Sequence, residues 1–285
     1  MRLCTMNIDG REDVGIAHGD GIVPLSTLTP LSPKPLGATL LDVVAGAQLD
    51  AIKEALDRLE TRTDLVRTAD VDFGPVYRNP PKLWGVGLNY RAHADDLQVE
   101  QPAGSPGSYL RPASCVIGDG DEIVLPTQSE RVTAEAELGV VIGRTCRDVR
   151  PEDAHTVVFG YTTVLDMTAE DAIRLNPRFI PWAKAFDTFC SLGPWIVTPD
   201  EVGELSSVRI STVVNGRTIA TNQVSAMMRD PHWQVAHFSG GMTLEAGSII
   251  ATGTPGAGVI RDGDVVEAVV ERVGTLRNAV RQARV

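Results

Sequence analysis

Residues 135–142 read EAELGVVI, and the rest of the chain is best read outward from them. Leu138–Ile142 is an apolar run of the kind that forms a buried strand, so Ala136–Ile142 is expected to be extended. Successive side chains of a strand alternate between faces, which puts Glu135 and Glu137 together on one face at the mouth of that strand. Two carboxylates so close repel each other unless a positive charge lies between them. A divalent cation is a natural neutraliser, and hard oxygen ligands suit Mg2+, Mn2+ or Ca2+. Taken alone, the ExE pattern also fits a solvated strand end.

A second apolar run, Val157–Leu165, ends at Asp166. As a single residue Asp166 also reads as the N-cap of a helix over 168–175. Together with Glu135 and Glu137 it makes a set of three carboxylates with open positions, as an ion that also binds substrate requires. Further strands are expected at Leu83–Val86, Glu122–Leu125, Ile196–Val197, Val208–Val214, Ile249–Ala251 and Val265–Val270. Helical pieces are expected at Tyr90–Leu97, Ala169–Leu175 and Val224–Phe238. The spacing is irregular and lacks the βαβ rhythm of a nucleotide-binding sheet. The class is α/β and β-rich.

The first 75 residues look like a small α+β unit. Short strands at Met1–Asn7, Val14–His18 and Ile22–Leu25 are joined by tight turns, and Thr39–Glu60 follows helical spacing. The prolines of Val76–Lys82 mark a connector, which divides the chain into 1–75 and 76–285. Gln98–Ser108, containing QPAGSPGS, reads as a loop able to close over a site.

Composition narrows the function. The chain has 285 residues, 43% of them hydrophobic and 22% charged, with 26 Lys+Arg against 37 Asp+Glu and a net charge of −11. Such an acidic balance argues against a nucleic-acid binder. No run is long and apolar enough to span a membrane, and the N-terminus lacks a signal-peptide core. A cytoplasmic, soluble protein is expected. Cys4, Cys115, Cys146 and Cys190 are far apart and form no CxxC pair, so they are expected to be buried thiols rather than a disulfide or zinc set. Gly85-Val86-Gly87 and the TGTPGAGV of residues 252–259 lack the remaining residues of a dinucleotide or phosphate loop.

Two further residues invite chemistry. His93 has Asp96 three residues on, on the same helical face, where a carboxylate can orient an imidazole as a general base. Lys184 stands among Trp182, Phe186 and Phe189, where partial burial would make it a strong partner for an oxyanion. A surface His–Asp pair and a snorkelling lysine are the plainer readings.

Seven blocks occur in order between about residues 80 and 280: LWGVGLNYRAHADDL (83–97), SYLRPASCVIGDGDEIVLP (108–126), AEAELGVVIG (134–143), FGYTTVLDMTAED (159–171), WAKAFDTFCSLGPWIV (182–197), MTLEAGSIIATGTPGAG (242–258) and DGDVVEAVVERVGTLRN (262–278). Together they resemble the fumarylacetoacetate hydrolase family. The resemblance implies a β-rich roll of packed mixed sheets with a small N-terminal domain, commonly a homodimer. It implies Glu135, Glu137 and Asp166 as ligands of Mg2+ or Mn2+. It casts His93 with Asp96 as the water-activating pair and Lys184 as the lysine facing the substrate oxygen. Tyr109, Arg111 and Thr254 fall at substrate-contacting positions. The substrate would be a 2-oxo acid or 1,3-dicarbonyl compound of acylpyruvate type, cleaved by hydrolysis of a C–C bond. Decarboxylation or isomerisation of a related 2-oxo acid is the alternative, and a non-catalytic homologue a third. Glu170 and Ile173 stand where the family commonly has an Arg and a Gln, which weakens recognition of a substrate carboxylate.

Overall fold

A computed structural model of the chain describes residues 1–59, 65–100 and 104–284; the side chains of Asp96 and Leu97 also lie outside the described set. The strand around EAELGVVI runs Val132–Ile142 and is buried along its whole length. It begins four residues earlier than the apolar run indicates, so both glutamates lie inside the strand and not at its mouth. Neighbours on both sides account for this, because ladders to Val158–Ala169 and Ala257–Ile260 hold Val132–Glu135 extended. Val158–Ala169 runs antiparallel to it and places Asp166 opposite Glu135. The strand continues past Asp166 to Ala169, and the next helix is Glu170–Leu175. Asp166 is therefore a mid-strand residue; the N-cap alternative is wrong because the ladder outlasts it.

On the far side of Val158–Ala169 lies Cys190–Val197, antiparallel, with Cys190 opposite Asp166. Arg2–Ile8 pairs with that strand in turn, Leu3 opposite Ile196, and Arg11–His18 and Gly21–Pro24 extend the same edge. The other flank of Val132–Ile142 carries two short strands. Ile249–Ala251 pairs residues 139–141 and Ala257–Ile260 pairs residues 132–135, so residues 252–256 leave the ladder beside Glu137. Leu83–Gly87 and the edge strand Gly107–Leu110 complete this side.

The result is a mixed sheet of thirteen strands over a second of five. Ala134, Ala136, Leu138 and Val140 face inward and cluster with Ile210, Val266, Ala268 and Leu276 of the smaller sheet. On the opposite face Val141, Val164, Leu192 and Ile196 join Leu3, Ile16, Val43 and Ile52 of the N-terminal region in a second cluster. The carboxylates share this second face by the alternation of the strand.

Several local expectations shift. Thr39–Glu60 is not one helix but two, Leu40–Ala45 and Leu49–Asp57, parted at Gly46-Ala47 where Ala47 has φ +48°; Glu60 lies outside the described residues. The helix expected from Val224 starts only at Pro231 and runs to Gly241, because Pro231 suits a first turn and the Asp230 side chain caps it by accepting from Trp233 N at 2.9 Å. The Gln98–Ser108 loop ends earlier than expected, since Gly107 and Ser108 already belong to the edge strand, and its residues 101–103 lie outside the described set. Cys146 is partly exposed, unlike the other three cysteines. No helix of the described residues is long and apolar enough to cross a membrane.

Candidate active site

Glu135, Glu137 and Asp166 each offer one carboxylate oxygen, and these three atoms lie within 4.8 Å of one another. All three residues are buried, Asp166 completely. Three anions in so small a volume are unfavourable without positive partners, and the surrounding residues supply two. Lys184 Nζ donates to Asp166 Oδ1 at 2.8 Å and to Glu135 Oε2 at 3.1 Å. Arg111 donates from one guanidinium nitrogen to Asp166 Oδ1 and, at 3.2 Å, to the Met167 carbonyl; its other terminal nitrogen donates to the Lys184 carbonyl. Tyr109 Oη donates to the second oxygen of Asp166. The ammonium of Lys184 also lies 4.9 Å from the centre of the Tyr109 ring, in cation–π range.

Titration behaviour follows this unequal sharing. Burial would raise the Asp166 carboxyl, but Arg111 and Lys184 outweigh it and hold the group below its usual range. Burial would lower Lys184, but Asp166 and Glu135 outweigh it and keep the ammonium above its usual range. Among the described residues no cation is hydrogen-bonded to Glu137, and the charge of Lys184 lowers its carboxyl without prevailing. Burial first, and the charge of Asp166 second, push its carboxyl well above the ordinary range. Its backbone donor among the described residues is Gly253 N, at 2.9 Å from Oε2. Two cations against three carboxylates leave a deficit centred on Glu137, and a small divalent cation with oxygen ligands is the group that removes it. The donor set therefore fits a divalent metal.

The segment Thr252–Gly256 fills the gap in strand pairing beside Glu137. Where it leaves the ladder, the Thr252 hydroxyl and N–H donate to Leu138 O at 2.8 and 3.0 Å. Ala136 N–H turns to Thr212 Oγ1 of the smaller sheet at 3.0 Å, and Thr212 donates on to Gly256 O at 3.0 Å. Gly253 sits at φ +97°, and a Cβ there would lie 2.7 Å from the Asn89 Cβ; glycine alone lets this turn approach closely enough to aim its N–H at Glu137. Gly85 serves Tyr109 similarly: a Cβ on Gly85 would fall 2.2 Å from the phenol ring.

Of the residues singled out in the sequence, Glu135, Glu137, Asp166, Lys184, Tyr109 and Arg111 come together here. Thr254 is buried nearby, but its hydroxyl turns inward, donating to Gly256 O at 2.9 Å and accepting from Gly256 N at 3.2 Å. His93 is buried on the helix Arg91–Leu97 and takes no part in the cluster's hydrogen bonds among the described residues. Asp96 lies on the same helix, with its side chain outside the described set. That helix is tied to the turn by Asn89, whose amide donates to Thr252 O at 2.8 Å and Arg229 O at 2.9 Å. Glu170 is not open to substrate, since it accepts from Arg131 Nε and, at 2.8 Å, from Arg174. Sequence reasoning missed Thr168, which donates to Glu135 Oε1 at 2.8 Å. It stands two residues from Asp166, and the same alternation that groups the carboxylates points to it.

The profile described as fumarylacetoacetate (FAA) hydrolase C-terminal matches residues 82–281, and the chain belongs to this family of enzymes. The crystal structure of maleylpyruvate hydrolase from Sphingobium sp. SYK-6, in complex with manganese(II) and pyruvate, superposes with a TM-score of 0.82 at 32% identity, covering 100% of both chains. A 2,4-didehydro-3-deoxy-L-rhamnonate hydrolase of Sphingomonas sp. strain SKA58 is 32% identical over 100% of this chain and 97% of its own. The human mitochondrial oxaloacetate tautomerase FAHD2A is 33% identical over 92% of this chain and 85% of its own.

Proposed function

We propose that the chain is a divalent-metal-dependent hydrolase that cleaves a C–C bond in a 2-oxo acid or 1,3-dicarbonyl substrate of acylpyruvate type. The observation that carries this reading is the charge deficit at three converged, buried carboxylates facing a buried lysine. The similar hydrolase with manganese(II) and pyruvate in its crystal supports it, because pyruvate is the 2-oxo acid fragment that such a cleavage releases.

Glu135, Glu137 and Asp166 would hold Mg2+ or Mn2+. Once bound, such an ion supplies Lewis-acid polarisation of a 2-oxo acid's adjacent oxygens and stabilises charge on the departing enolate. Lys184, kept protonated by its two carboxylate neighbours, offsets negative charge on the enolate or tetrahedral oxygen. Arg111 and Tyr109 fix the Asp166 carboxylate and, with Thr254, border the substrate. His93, oriented by Asp96, takes the proton of the attacking water. A homodimer in the cytoplasm completes the proposal. Exposed Leu175, Phe179 and Trp182 offer apolar surface for a subunit contact, and all four thiols are free.

A second reading keeps the ion and drops the water. Likeness to the oxaloacetate tautomerase favours it, as does Glu170, which is already neutralised by two arginines where a substrate-binding cation is expected. Product analysis with Mn2+ decides between them. Acetylpyruvate split into two fragments supports hydrolysis, release of CO2 from oxaloacetate means decarboxylation, and interconversion at unchanged mass means tautomerisation. Full turnover by His93→Ala would sink the hydrolytic assignment.

A further inference from the structure

Two buried carboxamides meet on the turn beside Glu137. Asn89 stands just before the helix Arg91–Leu97, and Gln234 lies inside the helix Pro231–Gly241. The Gln234 amide donates to Arg229 O at 2.9 Å and to Thr252 O at 3.2 Å. The Asn89 amide donates to the same two carbonyls, at 2.9 and 2.8 Å, and its Oδ1 accepts from Arg229 N at 2.9 Å. Each carbonyl therefore takes two amide N–H groups. Gln234 is completely buried, and its Oε1 has no partner among the described residues. A buried, unpaired oxygen costs stability. Packing alone does not account for an amide at this place, whereas its two donated hydrogen bonds do.

Thr252 O and Gly253 N belong to one peptide unit. That unit is planar and trans, so its C=O and N–H point in opposite directions and turn only together. Asn89 and Gln234 hold the C=O end, while the N–H end donates to Glu137 Oε2 at 2.9 Å. Gly253 has no side chain to anchor the unit, and its φ of +97° lies in a region open to glycine. The bonds to the carbonyl therefore set the tilt. Two donors on one carbonyl also polarise the peptide and strengthen its N–H as a donor.

We propose that Gln234 is a positioning residue for the carboxylate cluster: with Asn89 it fixes the tilt of the Thr252–Gly253 peptide and, through that peptide, the Glu137 carboxylate. None of the Gln234 hydrogen bonds goes to a carboxylate of the cluster, so its action is indirect. The effect on ion binding rests on the metal reading above; the hold on the Gly253 N–H does not. Gln234 is the cleaner of the two amides to remove. Its loss leaves Thr252 O with the Asn89 bond and takes away the unpaired Oε1 together with the donor.

The test compares Gln234→Met and Gln234→Leu, which keep bulk and remove the donor, with Val235→Ala, which thins the neighbouring apolar cluster. Thr252-Gly253 is the one Thr-Gly pair of the sequence, so labelling threonine at its carbonyl carbon and glycine at its nitrogen singles out this peptide by NMR. In the full-length, ion-free protein the Gly253 amide proton should move upfield and exchange faster with solvent in both Gln234 variants. Calorimetric Mn2+ affinity should fall about tenfold, the lower end of what losing an outer-shell partner does. Val235→Ala should lower the melting temperature and leave the Gly253 signal and the Mn2+ affinity of the folded protein unchanged. An unmoved Gly253 signal in the Gln234 variants overturns the proposal, and so does an equal response to Val235→Ala. Failure of both Gln234 variants to fold also overturns it, in favour of a purely structural amide. A displaced Gly253 signal with parental Mn2+ affinity overturns the link to the ion site. If the parent itself binds no Mn2+, the metal reading falls with that link, and the Gly253 signal decides the positioning.

Discussion

Along one face of the strands Val132–Ile142 and Val158–Ala169, Val141 and Val164 sit in an apolar cluster with Leu192 and Ile196, whereas Glu135, Glu137 and Asp166 share that face with Lys184 and Arg111. The backbone ladder is continuous through both halves. The apolar half stabilises the fold by removing surface from water. The charged half gains little net stability, since buried ion pairs roughly break even against their desolvation. It is held in place by the rigid frame around it. The difference teaches that the charges are tolerated because the neighbouring half keeps the strands together, and that Glu137 is the carboxylate whose charge the protein's own cations leave least balanced.

Substitutions at the two ends should separate these contributions. Asp166→Ala is expected to do most damage. It leaves Lys184 and Arg111 buried without their shared partner, which should cost about 3–5 kcal/mol by denaturant unfolding and abolish Mn2+ binding by calorimetry. Glu137→Gln is next, with Mn2+ affinity down by more than about 100-fold, beyond what outer-shell partners carry. Here ion-free stability should move the other way. The raised carboxyl of Glu137 contributes stability that is full below the ordinary carboxylate range and is lost as pH rises through its raised value. With a chelator present, the melting temperature of Glu137→Gln should therefore gain on the parent as pH increases. A parallel pH dependence of the two proteins would break this account.

Smaller effects sharpen the contrast. Thr168→Val removes the hydrogen bond to Glu135 and should weaken Mn2+ binding about tenfold, at a stability cost of about 1 kcal/mol. Leu192→Ala, in the apolar half, should lower stability by about 2–5 kcal/mol and leave Mn2+ affinity in the folded protein unchanged. If it instead altered ion affinity as much as Thr168→Val does, the two halves would not be separable.

Much of this arrangement is legible in particular residues. EAELGVVI announces a buried strand with two carboxylates on one side, because period-two alternation is local. The apolar run before Asp166 likewise shows a strand, but not its end: side chain and backbone partners from Val132–Glu135 carry the ladder on to Ala169. The same limit applies to Thr39–Glu60, whose apolar spacing survives a break at Ala47 that only the packed structure imposes. The family-like motif makes Thr254 a candidate, whereas the inward turn of its hydroxyl is not visible in it.

By itself the sequence determined the strand class, the acidic pair and the family-like order of its blocks, since each is written in neighbouring residues. Only the tertiary structure decided that Asp166 stands opposite Glu135, and that Lys184 and Arg111 both serve Asp166 while Glu137 goes short. The physical reason is register: which residues face one another across strands depends on hydrogen-bonded neighbours far away in the chain, and no local pattern encodes that alignment.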